Sequence, residues 1–489
     1  MELQLSVLSS TLQQAGMVLA AAMALIVALG VGLHADLRLK HWYVPSVAGL
    51  LIAVPAIGVV LEQRDVTQAL DFVAQAEPPP AMVWFLRLSS VVLVGLSIVR
   101  ITSRVVSHER IEPGPSVLMA AFFAYFVCNY LLNAAFGSVP APPIVPSIYA
   151  ALVLGAVYMS RDADPVLVQR FGKLALMAVM AGSLAPLLFD PGMVRQVETA
   201  EIRIPGVAFR LFGLGSNPNN IATLALVNLL LALHQPFRNR LLEATNISIT
   251  LGVLVLAQSQ TSWLAALIAV PVLLLGRSGL KLLDKRTLVA LCVLLMVAAV
   301  GIMGLALFTA HGLTLSDFVT GDRYREITSL TGRSAIWRAA LLEWEDNPLF
   351  GYGPTMWDGG YRARIGLSFA FTAHNQYLQS LAVAGAVGLC STLAYLAALG
   401  WYCFIAPRAV RGLALALYSQ ILMRSITEVP LDIGTPFANE FFSHFLLLFI
   451  LVTAHAAARA PSIGAVAGIA GSADVRRRPD LRTSAAVRG

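Results

Sequence analysis

The stretch FTAHNQYLQS, residues 371 to 380, sets His374 and Asn375 at the edge of a long apolar run. An imidazole with an unperturbed pKa of about 6.5 takes a proton from a hydroxyl at neutral pH. Asn375, or a tyrosine or acid brought close by folding, would orient that ring or its substrate. The plainer alternative is a structural histidine. Its surroundings favour chemistry, because the segment before it carries Arg323, Arg325, Arg333, Arg338, Arg362 and Arg364 and no lysine. Guanidinium forks match phosphate oxygens bidentately. The whole chain prefers Arg to Lys, so the choice of cation says little and its position says more. No second His, Asp or Cys stands at ligand spacing from His374, so no metal is expected there.

Three more stretches could join such a site. RIPGVAFRLFGLGSNPNNIATLAL offers Arg203, Arg210 and a glycine-rich turn. Asn217 or Asn219 would cap the next helix, and a helix N-terminus is a ready anion site. SLTGRSAIWRAALLEWEDNPLFGYG reads as one amphipathic helix, capped by Thr331 or Ser334 and stopped at Asn347-Pro348. Its stripe is Ile336, Ala340, Leu341 and Trp344. Trp337 and Trp344 suit the headgroup level of a membrane. Arg333 and Arg338 then face headgroups or a lipid-linked phosphate, or simply snorkel. Gly351-Tyr352-Gly353 is a sharp reversal that would position the residues leading to His374. In MRSITEVPLDIGTPFANE, Arg424 and Glu428 are four apart and would pair on one helix face.

These residues need a scaffold, and the composition specifies its kind. Of 489 residues, 57% are hydrophobic and 12% charged. That excludes an ordinary soluble domain and points to an all-α polytopic membrane protein. Runs fit to cross a bilayer fall near 15–33, 43–62, 82–100, 115–134, 144–159, 172–190, 218–233, 243–257, 262–276, 287–309, 376–403, 411–427 and 437–456, giving 12 or 13 spans. The polar cluster in AQSQTSW, with Gln258, Ser259 and Gln260, breaks what would otherwise be one long helix. The net charge of +7 reflects basic loops that set orientation and does not imply nucleic acid. If the spans alternate, Lys40, Lys173, Lys281 and Lys285 and most loop arginines share one side, which the positive-inside rule makes cytoplasmic. The N-terminus is then outside. His311 and His374 stand on the outer face and bracket the largest loop. Expected segments are 1–309, N-terminal helices; 310–375, an external loop with its amphipathic helix; 376–460, C-terminal helices; and 461–489, a cytoplasmic disordered tail. Cys128, Cys292, Cys390 and Cys403 all lie in apolar runs, so no disulfide framework is expected.

The run TGRSAIWRAALLEWEDNPLFGYG, followed after a short stretch by AHNQYLQSLAVAGAVGL, resembles the hallmark region of the O-antigen ligase and polysaccharide polymerase family. RLFGLGSNPNNIATL, AQSQTSWLA and RSITE occur in the family's order. The resemblance spans about 203 to 430; the first half of the chain matches only in hydropathy. It implies a GT-C-like glycosyltransferase of the bacterial inner membrane, with its site on the periplasmic side and no cofactor or metal. Its donor would be a glycan on undecaprenyl pyrophosphate, with membrane lipid and a chain-length regulator as further partners. His374 would be the base, Arg210 the pyrophosphate ligand and Asn219 the shaper of that pocket. Arg333, Arg338, Tyr352, Asn375, Arg424 and Glu428 would line the site. One departure matters. Many members carry Ser-Arg where this chain has Ser259-Gln260, and in ligases that arginine resembles a second pyrophosphate clamp. SQTSWLA is more similar to exopolysaccharide polymerases, and Gln260 would then be a neutral substrate contact.

Polymerisation of an exopolysaccharide or O-antigen is therefore the expected activity, with transfer to lipid A-core as the alternative. A lipid-linked oligosaccharide flippase also explains many helices, but not a dominant loop ending in histidine. A non-catalytic envelope scaffold would tolerate loss of His374.

Overall fold

A computed structural model describes residues 42–62, 64–66, 78–106, 115–197, 204, 206–278 and 333–459. The expected spans 15–33 and 287–309, the loop portion 310–332 and the tail 461–489 lie outside the described residues, as do Arg203, His311, Arg323, Arg325 and Thr331.

The described chain is helical apart from one two-residue strand pair. Its helices are α1 (Tyr43–Glu62), α2 (Pro80–Val106), α3 (Ser116–Phe136), α4 (Val145–Tyr158), α5 (Pro165–Leu184), α6 (Pro218–His234) and α7 (Arg240–Leu256). They continue as α8 (Gln260–Ser278), α9 (Arg333–Asp346), α10 (Gly359–Ile365), α11 (Gln376–Ile405), α12 (Arg408–Ser425) and α13 (Asn439–Arg459). Strands β1 (Arg195–Gln196) and β2 (Arg210–Leu211) pair antiparallel. Among the described residues six helices are long and apolar enough to cross a membrane, and 145–158, 218–234 and 260–276 are shorter apolar helices. The chain is a multi-pass, all-α membrane protein. In lipid each backbone polar group must be satisfied within the protein, which leaves helices as the economical solution.

Local sequence sets the helix starts. Asp164, Asn217, Asn239 and Asn375 are N-caps whose side chains accept backbone N–H bonds. Pro165 and Pro218 follow at N1, where a missing N–H costs nothing. The break expected in AQSQTSW is present. α7 stops at Leu256, Gln258 takes φ 49°, and α8 starts at Gln260. α6 is the central helix, buried almost throughout from Pro218 to Ala232. α8 packs closely on α12, where a Cβ on Gly276 would stand 2.5 Å from the Gly412 Cα, the small-residue contact that brings membrane helices together.

The helices alternate, so their connections gather at two ends. One end holds two ion-pair groups. Arg100 and Arg104 both engage Asp162 there, and Lys173 engages Glu243 at 3.0 Å. The other end gathers segments 64–66, 137–144, 185–197, 206–217, 257–260, 346–375 and 426–438, cross-linked by hydrogen bonds. His374 lies at this second end.

α11 is not one uninterrupted helix. Gly385 has φ 66° and ψ −162°, which divides it near its first third. The freed backbone groups bond to the loop after α9. Tyr352 N–H donates to the Ala382 carbonyl and Gly353 N–H to Val383, while Ala386 N–H donates to Pro348 and Val387 N–H to Leu349. On the loop's far side, Ser138 N–H donates to Gly351 and Val139 N–H to Tyr352. A Cβ on Gly385 would lie 2.2 Å from the Leu349 carbonyl carbon. Glycine is required by both the dihedral and the contact. A π-helical turn at Val127–Leu132 in α3 aims Asn129 at the same break, where its amide reaches the Gly388 carbonyl at 3.2 Å and Ser391 Oγ at 3.0 Å.

Candidate active site

A cavity of about 2180 Å³ opens at the loop end and runs down between α1, α2 and α4. Its deeper wall is apolar, with Val59, Leu86, Val91 and Val99 among its lining. Its upper wall carries Arg210, Asn219, Arg333, His374, Glu428 and Glu440.

Glu428 is the hub. The α12 helix ends at Ser425, and the turn after it carries Glu428 beyond the helix face. Its Oε2 lies 3.1 Å from His374 Nδ1; its Oε1 accepts from Asn219 Nδ2 at 2.8 Å and from Arg333 Nη2 at 3.5 Å. Asn219 Oδ1 accepts in turn from Ser259 Oγ at 2.8 Å. Burial alone would raise the Glu428 carboxyl. The His374 hydrogen bond and the positive fields of His374, Arg424 and Arg333 outweigh it and hold the carboxyl below its ordinary range. A carboxylate at Nδ1 takes the Nδ1–H proton bond and fixes the tautomer, leaving Nε2 as the proton-accepting nitrogen.

His374 sits between an inverted backbone and a cap. Its φ is 47°, a left-handed value uncommon outside glycine. Its N–H donates to Thr372 Oγ1 at 3.2 Å, and Trp337 Nε1–H donates to the preceding carbonyl, Ala373, at 2.8 Å. Asn375 caps α11 and donates from Nδ2 to the Ile426 carbonyl at 3.0 Å, tying the histidine's segment to the turn that carries Glu428.

Arg210 lines the same cavity from β2 and is buried. Burial lowers its guanidinium to about 10, so it stays charged at neutral pH. Beside it, Ser216, Asn217, Asn219 and Asn220 bring the N-terminus of α6 to the cavity. Asn217 is the cap, which frees the Asn219 side chain for Glu428. Arg64 underpins this corner. It donates from Nη1 to the Gly215 carbonyl at 2.7 Å and from Nη2 to Gly213 at 2.6 Å. Gly213 has φ 57° and no space for a side chain beside Ser183.

Other expectations change. Arg424 and Glu428 do not form a helix-face pair. Arg424 is fully buried and bonds Glu440 at 2.6 Å, while the Glu428 carboxylate is taken by His374, Asn219 and Arg333, although its N–H still donates to the Arg424 carbonyl. Gln260 does not line the cavity. It is half-buried at the start of α8, and the inward-facing members of its cluster are Gln258, bonded to the Phe209 carbonyl, and Ser259. Arg338 is exposed on α9 and also off the cavity. Tyr352 is buried and likewise off the cavity, edge-on to Tyr361 and bonded by Arg364 at 3.3 Å. α9 buries Ile336 and Ala340 against protein, but Leu341 and Leu342 are exposed. Arg64, Asp432 and Glu440 were not singled out from sequence. Asp432 and Glu440 stand in MRSITEVPLDIGTPFANE, and an acid in so apolar a stretch was their available signal.

Residues 245–393 match the family model described as O-Antigen ligase. This stretch of the chain belongs to the O-antigen ligase family. The match supports a membrane enzyme of the O-antigen ligase and polymerase type. It includes Ser259, Arg333, Tyr352, His374 and Asn375 and stops short of Arg210, Asn219 and Glu428, which folding brings to His374. No curated protein matches the chain.

Proposed function

We propose that the protein is a glycosyltransferase of the bacterial inner membrane, with its site on the periplasmic side, that polymerises undecaprenyl-pyrophosphate-linked repeat units. The observation that carries this reading is the pairing of His374 with buried Glu428 in a cavity that also holds Arg210. The apolar depth between α1, α2 and α4 suits a polyprenyl chain, and the Arg210 corner with the α6 N-terminus suits its pyrophosphate. His374 Nε2 takes the proton from an acceptor hydroxyl as that oxygen attacks the donor's anomeric carbon. The bond from that carbon to the pyrophosphate oxygen breaks, and undecaprenyl pyrophosphate leaves with the electron pair. Charge grows on the leaving group in the transition state, where Arg210 and Arg333 act. Glu428 stabilises the imidazolium that forms. One displacement inverts the anomeric centre.

Polymerase is preferred to ligase because Gln260 stands where ligases resemble one another in having an arginine clamp. The test is purified protein given an undecaprenyl-pyrophosphate repeat unit, with and without lipid A-core. A ladder without lipid A-core supports polymerisation; transfer only in its presence assigns the ligase reaction instead.

A further inference from the structure

Beside the large cavity lies a second chamber of about 270 Å³. Phe371, Thr372, Val429 and Asp432 line both, so the two meet at the residues that flank His374 and Glu428. The glycosyl transfer proposed for the large cavity makes no use of this chamber. At about 30 Å³ per water it holds roughly nine waters, room for one sugar ring and not for several.

Its lining is chemically distinct from the cavity's. It contains Asp432 and Asp358 but no Lys or Arg among the described residues, so it repels a pyrophosphate. It is too polar for a lipid tail, with Asn129, Asn133, Gln376 and Gln379 in its wall. Two buried polar groups there lack a partner among the described residues. Trp357 is 5% exposed and its indole N–H has no acceptor; Asn133 is 1% exposed and its Oδ1 has no donor. A buried polar atom left unpaired costs on the order of 1–3 kcal/mol. Trp357 also holds φ 74°, a left-handed value that is an outlier for so bulky a residue. Among the described residues Asp432 is bonded through one oxygen. Its Oδ1 accepts from Tyr130 OH at 2.8 Å and from Gly434 N–H at 2.9 Å.

A pyranose carries hydroxyls around its rim and C–H groups on its faces. Aromatic rings, a carboxylate and amides in one small chamber are the set that reads both. We propose that this chamber is the acceptor subsite. It seats the terminal neutral sugar of the incoming glycan, with the Trp357 N–H and Asp432 Oδ2 on its hydroxyls, and presents one hydroxyl across the Thr372–Val429 edge to His374. The proposal rests on the glycosyltransferase reading and adds where its sugar selectivity resides.

The test uses full-length protein in lipid nanodiscs and the repeat-unit oligosaccharide released from its lipid carrier by mild acid. Trp357→Phe keeps an aromatic ring and removes the N–H. Asp432→Asn keeps an oxygen for Tyr130 and Gly434 and removes the charge. Both should weaken oligosaccharide binding by about tenfold or more, the loss expected for one hydrogen bond to a buried or charged group. His374→Ala should bind within about twofold of wild type, since it lies outside the chamber. In steady state both chamber variants should raise the acceptor KM and leave the donor KM unchanged. Wild type that binds no oligosaccharide, chamber variants that bind as wild type does, or a rise in the donor KM alone would each overturn the assignment. If either variant fails to fold, hydroxyl-radical footprinting of wild type reads the same place. The sugar must protect Trp357 and Met356 from oxidation, and unchanged oxidation sinks the proposal. Binding without any transfer would remove the enzyme reading and leave the subsite; transfer with unaffected variants would do the reverse.

Discussion

Glu428 joins a histidine, an arginine and an asparagine from three other parts of the chain, and its charge is what they share. Replacing it with Gln keeps the shape and removes that charge. Glu428→Gln is expected to lower glycan transfer roughly 10²- to 10⁴-fold with modest change in KM, because the imidazolium loses its counter-charge. His374→Ala should insert and fold normally and lose transfer over the same range of roughly 10²–10⁴; full polymer yield at normal expression would exclude the histidine as base. Arg210→Ala should impair donor use more than Arg210→Lys, and Lys should still lose much, since a point charge cannot fork onto a pyrophosphate. The Glu428 carboxyl is held below its ordinary value of 4.5. A depressed carboxylate contributes stability that is fully present above its unfolded value and is lost as pH falls through the folded one. The melting-temperature gap between wild type and Glu428→Gln should therefore be flat at neutral pH and close only below that value.

At the scale of elements, the break in α11 positions the histidine. The piece from Gln376 to Ala384 is held by the loop strand 348–353, which is held by 138–139 in turn. Gly385→Ala places a methyl against the Leu349 carbonyl and forces a left-handed residue. The expected destabilisation is on the order of 3 kcal/mol or more, read as a lower melting temperature, with transfer lost in step as His374 shifts. The sequence did not reveal this junction, because AVAGAVGL reads as continuous apolar helix and the pairing partner lies over 30 residues upstream. The break at Gln258 was legible, since the five polar residues in a row from Gln258 to Ser262 do not sit in hydrocarbon. The Arg424–Glu428 pairing failed for a related reason. A spacing of four permits a pair but does not secure it, and nothing in RSITE reveals the partners from other segments, Glu440 for Arg424 and His374 for Glu428, that the fold supplies. The Asn217 cap and the stop at Asn347-Pro348 were legible because they depend on local bonds alone. Trp357 was not, because its role depends on a turn whose shape comes from distant contacts.

For the whole molecule, alternation of the apolar runs predicts loops at two ends, and the connections of the described helices gather that way. The arrangement is checked by labelling single cysteines in a background lacking the native ones. Gly360→Cys and Ala409→Cys are both at exposed positions, at opposite ends. The first should react with an impermeant thiol reagent from outside intact cells and the second should not. Ser262, although near the outer end by sequence, is fully buried and would report nothing.

Arg424 and Glu440 also say something about the order of events during synthesis. Arg424 is buried in α12, and the carboxylate that neutralises it stands at the start of α13. A nascent chain that has delivered α12 to the bilayer therefore holds an unneutralised cation beside α6 and has no settled place for the turn bearing Glu428. The helix that begins at Asn439 must emerge from the ribosome before the histidine meets a fixed carboxylate.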